Sequence, residues 1–154
     1  CTQHGRDYAN DARRGLGPGR RVTLVDTNVL LDILGTDPRW REWSQRALEA
    51  AALRGSLGIN DVIFSEVSIG FDRIEACRAF LAGLGVAHLR VPDGALFLAG
   101  KAFTAYRRRG GTRTGVLPDF FIGAHAAHDD LPLLTRDPRR YRLSFPTLRL
   151  LAPQ

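Results

Sequence analysis

The chain has 154 residues and a mass of 17.0 kDa, with 44% hydrophobic and 25% charged residues. That fits one globular domain, excludes a multidomain machine, and leaves enough chain to bury a core without disulfide staples. A formal net charge of +6, carried almost wholly by Arg because Lys101 is the single Lys, makes a polyanion a plausible partner, although GC-rich codon usage accounts for Arg richness equally well.

Residues 1–21 hold five Arg and five Gly or Pro and almost no large apolar side chain, so they are expected to form a disordered tail ahead of a folded domain at 22–154. The chain contains no Met, and a native start near Val22 is expected. No stretch approaches the roughly 20 apolar residues that a membrane-spanning helix needs. Cys1 and Cys77 have no metal-binding spacing, which fits a reducing compartment and an expected cytoplasmic location.

From Val22 strands and helices alternate. VTLV at 22–25 is a short β-rich run ending at Asp26, in the form of a strand buried on both faces. A helix is expected from Asn28 to Leu34, stopped by Gly35, and another over 39–54, with Trp40, Trp43, Ala47, Leu48, Ala51 and Leu53 near helical spacing. LGIN at 57–60 reads as the second strand, and Asn60 or Asp61 as the cap of a helix running through Glu66 to about Gly70. Asp72 opens a helix to about Leu84, VAHLRVP at 86–92 is a strand, and Pro92-Asp93-Gly94 is a turn before a helix over 95–109. GGTRTG is a basic loop, Pro118 starts a helix to about His128, and LPLLT at 131–135 and TLRLL at 147–151 complete the strands. This alternation predicts an α/β protein: a three-layer α/β/α sandwich around a parallel sheet of four to five strands.

Ligands of open parallel sheets bind beyond the carboxyl ends of the strands, so acids placed there carry weight. Asp26 directly follows VTLV, and Asp137 follows LPLLT. Glu66 interrupts the apolar run VIFSEVSIGF, and Asp119 begins PDFFIGAHAA. Carboxylates gathered in one pocket raise one another's pKa unless a cation joins them. A hard divalent ion, Mg²⁺ or Mn²⁺, suits such oxygen donors and can orient a water for attack on a phosphodiester. Each acid also has a plainer account. Asp26 and Asp119 stand where helix caps stand, Asp137 precedes Pro138 in an ordinary turn pair, and Glu66 could pair with an Arg.

Other readings fit less well. Asp26-Thr27-Asn28 lacks the second Asp of a haloacid-dehalogenase phosphatase, and Lys101 is misplaced for a receiver domain. The glycines at 15–19 precede the first strand, and Gly100-Lys101-Ala102 lacks the hydroxyl residue of a phosphate-binding loop. His125 and His128 are more simply explained by a helix C-terminus than by a metal, and the two Trp as core or interface.

Four segments, LVDTNVLLD at 24–32, SEVSIGFD at 65–72, LPDFFIGAHA at 117–126 and LLTRDPRRY at 133–141, resemble in order and spacing the PIN-domain ribonucleases, and among them the VapC-type toxins of bacterial toxin–antitoxin pairs. The resemblance covers about Val22 to Pro153. It implies that Asp26, Glu66, Asp119 and Asp137 form a metal-binding catalytic site, with Asn28 and Thr135 positioning the acids or a water. It further implies a Mg²⁺- or Mn²⁺-dependent endoribonuclease, homodimerisation, and inhibition by a cognate antitoxin protein. Arg139 stands where some PIN branches have a further acid. Arg136, Arg139, Arg140 and Arg113 are expected to contact RNA phosphates. A protein of the same fold that binds RNA without cleaving it is the alternative, and a DNA-binding regulator is disfavoured because no helix-turn-helix pattern precedes the alternation.

Overall fold

A computed structural model of the chain describes residues 21–154. Residues 1–20 of the expected tail lie outside the described residues. Arg21 is already tied to the domain, since its carbonyl accepts from Ser56 N at 2.9 Å.

The elements in chain order are β1 (Val22–Val25), α1 (Thr27–Leu34), α2 (Pro38–Arg54), β2 (Ser56–Asn60), α3 (Asp61–Ser68), α4 (Ile74–Gly83), β3 (Val86–Leu89), α5 (Asp93–Arg108), α6 (Pro118–His128), β4 (Leu133–Leu134), α7 (Arg139–Arg142) and β5 (Leu150–Leu151). All strands are parallel, in the order β3-β2-β1-β4-β5, and helices flank the sheet in the expected α/β/α arrangement. Among the described residues no helix is long and apolar enough to cross a membrane.

The central strands are buried as their apolar runs require: Leu24, Val25, Ile59 and Leu133 are fully inaccessible, as in a sheet covered on both faces. β3 is an edge strand and only half-buried. The direction in which strands are added reverses beside β1, with β2 and β3 on one side and β4 and β5 on the other. The crevice at the carboxyl ends of β1 and β4 is therefore the topological switch point, where open parallel sheets take their ligands.

Several boundaries differ from expectation. α4 starts at Ile74 with Arg73 as its cap residue, so Asp72 does not open it. Pro92-Asp93-Gly94 is no separate turn: α5 begins at Asp93, and a Cβ on Gly94 would lie 2.3 Å from His128 Nε2, so glycine permits the close approach of α6. The strands expected over 86–92, 131–135 and 147–151 contract to 86–89, 133–134 and 150–151. The short helix α7 was not foreseen, because four residues are too few to show a period.

Candidate active site

Asp26 ends β1 and caps α1, its Oδ1 accepting from Thr27 N at 2.8 Å. The cap reading is thus correct, yet it uses one oxygen only. Oδ2 accepts from Thr135 Oγ1 at 2.7 Å, Tyr141 OH at 2.9 Å and Asn28 Nδ2 at 3.3 Å. A carboxylate offers about four acceptor directions, so Oδ2 is saturated and Oδ1 retains capacity for a further partner. Only 3% of Asp26 is exposed. Burial raises its pKa above the ordinary carboxylate value, and the bonds from Thr135, Tyr141 and Thr27 oppose that rise.

Asn28 and Thr135 extend this network beyond Asp26. Asn28 Oδ1 accepts from Arg136 N at 3.1 Å, and its Nδ2 also approaches Thr135 Oγ1 at 3.3 Å. Thr135 Oγ1 in turn accepts from Asp137 N at 3.1 Å. One network therefore joins the ends of β1 and β4 and fixes the backbone from which Asp137 projects.

Glu66 lies on α3, whose N-cap Asn60 accepts from Ile63 N at 2.9 Å. Its partner is a hydroxyl: Thr27 Oγ1 donates to Glu66 Oε1 at 2.7 Å. Asp119 sits in the first turn of α6, but the cap position expected of it belongs to Leu117. Burial raises the Asp119 pKa, Arg140 pulls it down, and the charges of Asp26, Glu66 and Asp137 push it up further. The four acids thus share one electrostatic neighbourhood.

Asp137 does serve the turn that Pro138 suggests, its Oδ1 accepting from Arg139 N at 3.3 Å and Arg139 Nε at 3.2 Å. Arg140 reaches Asp119 Oδ1 at 3.7 Å and Asp137 Oδ2 at 3.5 Å. Arg136 pairs with Asp32 Oδ1 at 3.2 Å and lies over the Trp40 ring at 4.9 Å. Ser44 donates to the other Asp32 oxygen at 2.7 Å. Arg113 is exposed in the basic loop, whose shape is held by Arg107 Nη1 donating to the carbonyls of Gly111 and Arg113 at 3.1 and 2.9 Å. Arg109 Nη2 reaches Ser144 Oγ at 3.4 Å, which brings this basic turn beside the segment that follows α7.

Two site residues escaped sequence reasoning. Thr27 was passed over between two more conspicuous polar residues. Tyr141, fully buried on α7, was hidden among three Arg, and its four-residue spacing to buried Phe145 was the available signal. Both rings pack on α6 at Gly123, where a Cβ would lie 2.4 Å from Phe145 and 3.1 Å from Tyr141. Burial and the neighbouring Asp26 charge hold the Tyr141 phenol well above its ordinary pKa, so it remains a hydrogen-bond donor. His125 and His128 both face Asp129, at 3.3 and 2.7 Å, a carboxylate outside the acidic set.

The donor set is wholly carboxylate oxygen, the type preferred by Mg²⁺ and Mn²⁺, and the mutual repulsion recorded at Asp119 is what a cation would relieve. Among the described residues no three or more His, Cys, Asp or Glu side chains are already gathered tightly enough to hold an ion. The residues fit such an ion in type and neighbourhood, and the side chains have to draw together to hold one.

The PIN domain family model matches residues 23–146. No curated protein matches the chain. Among solved structures it is similar to VapBC2 from Rickettsia felis bound to a DNA fragment from its promoter, at 17% identity and a TM-score of 0.66, over 85% of this chain and 98% of that one. It is similar to VapBC-1 from nontypeable Haemophilus influenzae, at 16% identity and a TM-score of 0.65, over 85% and 97% of the two chains. A toxin–antitoxin complex from Klebsiella pneumoniae follows at 21% identity and a TM-score of 0.60, over 86% and 98%. At these identities the likeness is one of fold.

Proposed function

The chain belongs to the PIN domain family, and from that premise we propose that it is a Mg²⁺- or Mn²⁺-dependent endoribonuclease, the toxin of a toxin–antitoxin pair. The observation that carries the proposal is the setting of Asp26: a buried carboxylate at the switch point, saturated on one oxygen and open on the other, and near Asp119, on which the charges of Asp26, Glu66 and Asp137 all act. Asp26, Glu66, Asp119 and Asp137 are the residues that would hold the ion. The ion supplies Lewis acidity at a phosphodiester and activation of a water for its hydrolysis.

The chain's own groups do the rest. Asn28, Thr135 and Tyr141 keep Asp26 aimed. Thr27 holds Glu66 in place. Arg139, Arg140 and Arg113 offer guanidinium groups to the RNA backbone, where bidentate phosphate contacts position a strand without reading its sequence. Arg136 acts in this proposal by fixing the loop between Thr135 and Asp137 against α1 and α2. The folded nuclease unit is the segment 22–154, and it works in the cytoplasm as a homodimer under the control of an antitoxin protein. The fold shared with proteins solved as VapBC and toxin–antitoxin complexes supports that partner.

Induced expression in a bacterial host tests this reading. Growth arrest with cleaved RNA, abolished by Asp26→Asn, is the expected result; unimpaired growth and intact RNA would refute it. The second reading is a protein of the same fold that binds RNA by occupancy without cleaving it. Arrest without RNA cleavage, unaffected by Asp26→Asn, would support that one.

A further inference from the structure

Arg140 stands apart from the other basic side chains. Among the described residues it is the one guanidinium that reaches two of the four acids, Nη1 toward Asp119 at 3.7 Å and Nε toward Asp137 at 3.5 Å. Arg139 touches Asp137 alone, and Arg136 is engaged by Asp32 and Trp40. A guanidinium is planar, carries five donors in a fixed fork and stays charged. It can therefore fill the space between two carboxylates as a cation would. Asp119 is not the cap residue of α6, which is Leu117, and the pull of Arg140 is felt at Asp26 and Tyr141 as well as at Asp119.

We propose that Arg140 is a resident counterion of the acidic site: it occupies Asp119 and Asp137 while the site is empty and competes with the divalent ion for them. The proposal rests on the reading of the four acids as an ion site. In its terms the acids are not preassembled because a side chain of the same protein stands among them, and loading the site requires Arg140 to give way. The setting has the right strength for displacement. The pairs are longer than hydrogen bonds and Arg140 is about half exposed, with 53% of its side chain accessible, so solvent weakens the attraction and a doubly charged ion can overcome it.

The consequence has a sign that a structural role would not produce. Deleting a residue that merely supports the fold loosens metal binding; deleting a competitor tightens it. The test is a Mn²⁺ titration of the purified full chain, free of RNA and antitoxin, followed by the electron paramagnetic resonance signal of unbound Mn²⁺ at about pH 7.5, where carboxylates are ionised. Arg140→Gln is expected to bind Mn²⁺ about threefold to tenfold more tightly than the wild type, the range that partly exposed pairs support. Arg140→Lys, which keeps the charge, is expected to restore most of the weaker wild-type affinity. Arg142→Gln, on the same helix and without a carboxylate partner among the described residues, controls for net charge and is expected to change affinity less than about twofold.

Affinity of Arg140→Gln equal to that of Arg142→Gln, or weaker than wild type, overturns the counterion role. If at the same time the wild type binds Mn²⁺ and Asp26→Asn does not, the ion-site reading survives that failure. Absence of Mn²⁺ binding by every variant and by the wild type overturns both. Thermal unfolding of each variant in chelator verifies that the compared chains are folded.

Discussion

The Tyr141 hydroxyl donates to Asp26 Oδ2 across 2.9 Å, joining residues 115 apart in the chain and both buried. It is the third donor on that oxygen, after Thr135 and Asn28, and it comes from a helix that sequence periodicity could not reveal. The bond completes the set of donors on Oδ2 and leaves Oδ1 as the oxygen able to take a new partner.

Tyr141→Phe keeps the ring in the core and removes only this donor. A hydrogen bond to a charged group contributes about 1.5–3 kcal/mol, so urea unfolding should show a loss of that order at neutral pH. The bond favours the charged form of Asp26, so its loss raises the Asp26 pKa further. Any activity that needs the carboxylate should then fail at a higher pH as the solution is acidified. An acid limb that stays in place in the pH–rate profile would contradict this role.

Asp119→Asn addresses the cost of the unfilled site. The Asp119 pKa is raised in the folded protein, by burial first, so the charged form destabilises the fold at neutral pH. Stability from this group is fully present below the unfolded pKa near 3.9 and is lost as pH rises through the folded value. In chelator the Asn variant should therefore melt above the wild type at pH 7, with the difference closing toward pH 4. A lower melting temperature at pH 7 would contradict the raised pKa. Stability gained by deleting a functional charge is the expected trade-off at an active site.

Thr27→Val is nearly isosteric and removes the 2.7 Å donor to Glu66. Cleavage should fall roughly tenfold or more, the equivalent of a lost bond of about 1.5 kcal/mol or above, while Thr27→Ser restores most of it. Equal rates for the Val variant and the wild type would show that Glu66 needs no anchor.

Gly123→Ala places a methyl group 2.4 Å from Phe145 and 3.1 Å from Tyr141. Overpacking of this kind typically costs about 1–3 kcal/mol. Because Tyr141 must shift, activity should fall more than in a variant of equal stability loss elsewhere in the core. Unfolding and cleavage measured side by side on Leu48→Ala, a core site outside the network, give the comparison.

Much of this architecture is legible in the sequence because local chemistry punctuates it. Asn60 before α3 and Pro118 at α6 mark helix starts by capping and by a preset φ, and Gly35 and Gly55 stand directly after α1 and α2. The parallel sheet follows from apolar runs alternating with helices. β4 and β5, with two paired residues each, are too short for propensity to bound them, and their limits come from the pairing of β4 with β1 and of β5 with β4. The acids were found because each is placed oddly for its surroundings. Their support was harder to see: Thr27, Tyr141 and the Asp32–Arg136 pair depend on contacts between distant segments, and single-chain periodicity carries no signal for those. Arg136 makes the same point, since its clustering with Arg139 and Arg140 in the sequence carries no sign of the contacts with Asp32 and Trp40 that the fold gives it.

The most direct test of the central claim is to incubate the purified chain, free of antitoxin, with total RNA in Mg²⁺, in Mn²⁺ and in chelator, beside an Asp26→Asn/Asp119→Asn double variant. Discrete RNA fragments in the metal lanes, absent with chelator and with the variant, are the predicted result. RNA left intact by the wild type in both metals, or cut equally by the double variant, would contradict a metal-dependent nuclease site built on these acids.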